Sequence, residues 1–199
     1  MTKRILLAGI LGGLVLFVWE FVAHMMLPLG EAGMKGLTNE TAVIAALKEQ
    51  VKEDGLYFFP AGGWSSDMTA DQKRQAMEKA QAMMANGPGG LLLIHPNGMV
   101  GMTGGQLGTQ CAGDIASMLL AAFVVAQVGA AAFGSRFLIA MLLSLLPAFR
   151  SHIPLWNWYA FPGTYTAAQI TIDVVGFAAG GAIVAKMVQS RSRTMAAAA

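Results

Sequence analysis

Four long apolar runs alternate with polar connections along the chain. The first, Ile5 to Leu27, is long enough to cross a hydrocarbon core of about 30 Å as a helix. Only Glu20 and His24 interrupt it, and four residues apart they share a helix face. Neither side chain tolerates hydrocarbon, so both are expected to face other helices, a water-filled cavity or each other. The second run, Ile115 to Phe133, is polar only at Ser117 and Gln127, with a turn predicted at Gly134-Ser135-Arg136. The third, Phe137 to Leu155, contains Pro147 as a predicted kink and carries Arg150 and His152 in its second half. Trp156, Trp158 and Tyr159 follow, amphipathic aromatics of the kind that sit at a membrane surface. The fourth, Thr164 to Val188, is rich in small residues and broken by Asp173. The tail, residues 189–199, is basic and then alanine-rich, and is expected to be a disordered cytoplasmic segment.

Between the first and second runs the pattern changes. Residues 29–110 hold eight acids and six bases, most of the charge in the chain. Asn39 to Asp54 reads as a helix with Asn39 as N-cap, a stripe of Ala42, Ile44, Ala45, Leu47 and Val51, and Gly55 as the stop. Thr69 to Asn86 reads as a second helix, opened by the capping box Thr69-Ala-Asp-Gln72, with Met77, Ala80, Met83 and Met84 on its apolar face. Leu56 to Phe59 and Leu91 to His95 are predicted strands. Asn97-Gly98 is a type I′ turn signal, which predicts a hairpin of Leu91 to His95 with Met99 to Met102, on which Leu56 to Phe59 can add a third strand. Gly101-Met-Thr-Gly-Gly105 reads as a turn or linker.

The expected architecture is therefore an α-helical integral membrane protein with four transmembrane helices and a small α+β extracytoplasmic domain inserted between helices 1 and 2. Residues 1–28 form the first span, 29–110 the inserted domain and 111–188 the remaining three spans. Composition agrees: of 199 residues, 55% are hydrophobic and 12% charged, too apolar for an ordinary soluble domain. The opening segment resembles a signal peptide, but its run exceeds an h-region of about 7–15 residues and no A-x-A site follows, so it is expected to be retained.

Charge sets the expected orientation. Lys3, Arg4, Arg136, Lys186, Arg191 and Arg193 fall on one side of four spans, which places both termini in the cytoplasm and residues 29–110 outside. The expected location is a cell membrane, as a multi-pass protein of a bacterial inner membrane. A net charge of +2, with basic residues at helix ends, argues against nucleic acid as a partner. The single cysteine, Cys111, builds no internal disulfide.

Outside the polar insert only three acids remain, Glu20, Asp114 and Asp173, and each lies in or beside a predicted span. At 1.5 Å per residue, Glu20 and Arg150 lie about 22 and 21 Å above the cytoplasmic edge, and Asp173 about 18 Å above it. These depths predict a cluster with Arg150 between Glu20 and Asp173, His24 and His152 above it and Asp114 as its cap. Such a cluster holds helices in register, or it carries a proton or ion.

Other patterns are weaker. His24, His95 and His152 map to the outer side, and nine of the fourteen methionines lie between Met25 and Met102. Imidazole with thioether suits Cu(I), and two histidines suit haem. However, methionine is a common filler of apolar faces, and neither cofactor is expected. Gly9-x-x-x-Gly13 and Gly176-x-x-x-Gly180 are small-residue motifs for close helix packing, within the chain or across a homodimer. No Walker A, G-x-S-x-G, HExxH or CxxC sequence occurs. The leading expectation is a non-enzymatic accessory, assembly or sensing component in contact with lipid and with a membrane or periplasmic partner. The alternatives are a small proton- or ion-coupled transporter using Glu20 with Arg150 and Asp173, and a metal- or haem-handling protein using the three histidines.

Overall fold

The computed structural model describes residues 3–129 and 132–188. The expected disordered tail, 189–199, lies outside them. The chain divides into two compact units, one of residues 1–34 with 102–199, the other of residues 35–101.

The first unit is a bundle of helices. Among the described residues four are long and apolar enough to cross a membrane: α1 (Lys3–Met25) before the inserted unit, α4 (Gly104–Val128), α5 (Phe133–Tyr159) and α6 (Gly163–Met187) after it. Helix α1 packs against α4 and α6, and α5 packs against α6. Leu16, Met118, Ala121, Ala122, Val125 and Val184 form an apolar core in the half of the bundle that holds the start of α1 and the end of α6. Both glycine motifs are used within the chain. A Cβ on Gly9 would stand 2.6 Å from the Leu119 side chain, and one on Gly180 would stand 2.6 Å from the Gly12 carbonyl oxygen. Gly13 meets Ile115 and Gly176 meets Leu16 and Trp19, so α1 lies backbone-close to α4 on one flank and to α6 on the other.

Helix α4 differs from the sequence expectation at both ends. It begins eleven residues before Ile115, at Gly104, because Thr103 and Gln106 form a capping box that the glycines between them do not break. The residues Gly104 and Gly105, read as linker, are thus its first turn. It ends at Val128, where Gly129 takes a left-handed conformation with φ 67°. The turn expected at Gly134-Ser135-Arg136 is accordingly helix, the first turn of α5.

Helix α5 carries the irregularity predicted at Pro147. The chain leaves the α-helical path at Ser144, resumes at Leu145, and winds as a π-helix over Ala148–His152. Proline has no N–H to donate and its ring crowds the carbonyl of the preceding turn. The ladder recovers by bonding one residue further back, as the Ile153 N–H does to the Ala148 carbonyl. Ala160, with φ 55°, ends the helix beyond Trp156, Trp158 and Tyr159, all exposed.

The second unit contains α2 (Glu40–Gln50), β1 (Gly55–Phe59), α3 (Ala70–Met84) and β2 (Gly90–Ile94). Asn39 caps α2 by accepting from the Ala42 N–H, and Thr69 with Gln72 forms the expected capping box on α3. Helix α2 stops at Gln50, short of Asp54, and of its expected apolar stripe only Val51, just past the helix end, is buried; Gly55 opens β1 instead. Strand β2 pairs antiparallel with β1, Leu56 opposite Leu93 and Phe58 opposite Leu91. The expected hairpin with Met99 to Met102 does not form. The turn there runs from the His95 carbonyl to the Gly98 N–H, with Pro96 and Asn97 in the middle and Gly98 last at φ 85°. That is the residue order of an ordinary type I turn, one position out of step with a hairpin centred on Asn97-Gly98.

Candidate site in the membrane bundle

The acidic side chains of the bundle collect in the half opposite its apolar core. Glu20 sits in the last two turns of α1, Asp114 in the first half of α4, and Asp173 ten residues into α6. Asp114 is almost fully buried, with 4% of its surface exposed, and Glu20 and Asp173 are half-buried. Gln110, one turn before Asp114, joins the first two: its amide Nε2 donates to Glu20 Oε2 at 2.5 Å and to Asp114 Oδ1 at 3.0 Å. A primary amide carries two N–H donors, so one glutamine can serve two carboxyls. On α5, His152 Nε2 lies 2.9 Å from Asp173 Oδ2.

The four long helices therefore each supply a titratable side chain: Glu20, Asp114, His152 and Asp173. Trp19 fixes the adjoining register of α1, its indole N–H donating to the Ile172 carbonyl of α6 at 2.9 Å. Two buried polar atoms at the site have no partner, Asp114 Oδ2 and His152 Nδ1. A groove of about 280 Å³ reaches Glu20 and Gln110 from the end of α1, passing Phe21, His24 and Gln106.

Four of the six residues expected in an intramembrane cluster are thus brought to one region, and two are not. Arg150, placed by depth at the centre, is exposed and forms no ion pair among the described residues. Residues two apart on a helix point about 200° apart, so Arg150 and His152 cannot both turn inward. The winding after Pro147 presents His152 to Asp173 and leaves Arg150 on the outside, where its long stem lets the guanidinium reach for water. His24 is exposed at the mouth of the groove rather than in the cluster.

Gln110 and Trp19 are the members that the sequence did not disclose. Gln110 had been assigned to the polar insert; the Thr103-Gly-Gly-Gln106 capping signature, followed by polar residues at 106, 110 and 114 on one helix face, was the available signal.

The metal reading finds no cage. His95, in the second unit, pairs with Asp54 at 3.1 Å, and His152 is engaged with Asp173. No group of three His, Cys, Asp or Glu with metal-holding geometry occurs among the described residues. Compared with known protein families, with curated proteins and with solved structures, the chain matches none.

Proposed function

We propose that the protein is a non-enzymatic multi-pass membrane protein that handles protons within the bilayer, with both termini cytoplasmic and residues 35–101 extracytoplasmic. The observation that carries this reading is the convergence of three carboxyls and one imidazole from four apolar helices, with Gln110 and His152 as the side chains that bond the carboxyls among the described residues. Fully ionised, such a site would hold two uncompensated negative charges in a medium of low dielectric. Protons are the species able to settle there without a ligand cage. The route enters by the groove at His24 and reaches Glu20; Gln110, donating to both carboxyls, holds Asp114 beside Glu20, with Asp173 and His152 alongside. The unpartnered Asp114 Oδ2 and His152 Nδ1 are the atoms free to accept or pass a proton. Intramembrane ionisable groups commonly mark such relays.

The test is proton flux across liposomes that contain the purified protein and a trapped pH-sensitive dye. A flux driven by a pH gradient, abolished by Glu20→Gln and by Asp173→Asn, supports the reading. A wild-type flux no greater than that of protein-free liposomes, or one indifferent to both substitutions, defeats it.

A second reading, an accessory component whose inserted unit meets a protein partner, is favoured by one feature of that unit. The ribbon of β1 and β2 aligns Leu56, Phe58, Leu91 and Leu93 on one face, and Leu56 and Leu93 are 67% and 69% exposed. An apolar strand face left open in this way suits a partner surface. Crosslinking from Leu93 in native membranes tests it: a discrete adduct supports a partner, and no adduct removes the reason for one.

A further inference from the structure

On a face of the α1–α6 pair that carries none of the clustered carboxyls, the two helices cross so closely at Gly12 and Gly180 that larger residues flanking the crossing cannot close over it. They leave a groove of about 570 Å³ on the outside of the bundle, within the usual range of about 300–1,000 Å³ for ligand sites. One wall is Leu11, Leu14, Val15 and Val18, a stripe at positions i, i+3, i+4 and i+7 of α1; the other is Ile183 and Met187 of α6. Lys186 closes one end.

The contacts of Gly12 with Gly180 and of Trp19 with Ile172 make the helices antiparallel, so Lys186 lies level with the first turns of α1. From Lys186 to the level of Val18 is twelve residues of α6, about 18 Å at 1.5 Å per residue. The groove is therefore long and narrow. Its volume spread over that length leaves room for an acyl chain, and not for a second helix of about 10–12 Å diameter. Lys186 is exposed and makes no hydrogen bond or ion pair among the described residues. Other positive charge lies at the same end of the bundle: Lys3 and Arg4 begin α1, and Arg136 donates from Nε to the Ala185 carbonyl at 2.7 Å.

We propose that this groove binds an anionic phospholipid of the surrounding bilayer, one acyl chain lying along Leu11, Leu14, Val15 and Val18 and the phosphate resting on Lys186. Apolar walls of acyl-chain length that end in an unpaired ammonium match the two halves of such a lipid. The groove shares no lining residue with the carboxyl cluster, and the proposal does not depend on the proton reading.

Native mass spectrometry of the detergent-purified chain, incubated with equal amounts of phosphatidylglycerol and phosphatidylcholine, tests the assignment. One phosphatidylglycerol per chain should be retained with a preference of roughly five-fold, the effect of one basic residue near a membrane surface. Lys186→Gln should bring the two lipids to parity, and Leu14→Trp, which fills the groove from an exposed position, should reduce retention of both. Circular dichroism confirms that each variant is folded. Equal retention of the two lipids by the wild type, a preference unchanged in Lys186→Gln, or lipid-free paired chains would overturn the proposal.

Discussion

His152 of α5 and Asp173 of α6 face each other at 2.9 Å, both largely screened from solvent, with 16% and 22% of their side chains exposed. The pair joins two helices at the depth where the bundle holds its other acids. It also explains the position of Arg150, two residues earlier and turned outward. A double-mutant cycle with His152→Gln and Asp173→Asn, read by unfolding in detergent, should give a coupling of about 0.5–2 kcal/mol, the range found for polar pairs between membrane helices. On the same scale Arg150→Met should change stability by no more than about 0.5 kcal/mol, as expected of an exposed side chain without a partner. A coupling near zero, or a larger loss for Arg150→Met than for either member of the pair, contradicts the pairing.

Helix crossings at glycine make a second expectation. Gly180→Leu forces a side chain against the Gly12 backbone and should cost about 1–3 kcal/mol or prevent folding. Gly113 is also helical, but a Cβ there meets nothing within 4 Å. Gly113→Ala should therefore be neutral or stabilising by up to about 1 kcal/mol, since alanine is the better helix former. Thermal unfolding of both variants separates packing glycines from incidental ones.

The same contrast shows what the sequence made legible. The four apolar runs announced their helices because length and hydropathy suffice for that inference, and Glu20, Asp114, His152 and Asp173 stood out because polar residues in such runs are rare. What depth could not supply was azimuth. Arg150 and Glu20 were expected at one level, but the direction of the Arg150 side chain follows from the winding after Pro147, which rests on how a freed carbonyl is satisfied locally. Gln110 was missed for a related reason, since the helix start depends on the Thr103–Gln106 cap and not on hydropathy. In the insert, Leu56 to Phe59 joins β2 while the expected arm Met99 to Met102 does not, because Pro96 takes the second place of the turn and shifts it one position from a hairpin centred on Asn97-Gly98.

Capping at Thr103 carries its own expectation. Thr103→Ala removes the acceptor for the Gln106 N–H and should destabilise the start of α4 by about 0.5–2 kcal/mol. Because Gln110 lies in the second turn of that helix, hydrogen exchange at 104–110 should accelerate while exchange near Met118 stays slow. Uniform acceleration along α4 would mean that the cap does not act locally.

Orientation is checked by labelling. In a chain with Cys111 replaced, a cysteine at the exposed Ser65 should react with a membrane-impermeant reagent added to intact cells. Protection until the cells are broken would reverse the assignment of residues 35–101 to the outside.

The proton reading is tested most directly by infrared difference spectroscopy of lipid-reconstituted protein across a pH titration, following the carbonyl band of protonated carboxyl groups. Gln110 links Glu20 to Asp114, and the bond of Trp19 to the Ile172 carbonyl sets Glu20 and Asp173 at neighbouring levels of α1 and α6, so the three acids should titrate as one coupled group. Glu20→Gln, Asp114→Asn and Asp173→Asn should each remove one component of the band and move the midpoint of the other two. Three carboxyl signals that titrate independently, or a band unaffected by all three substitutions, would contradict a shared proton site in the membrane.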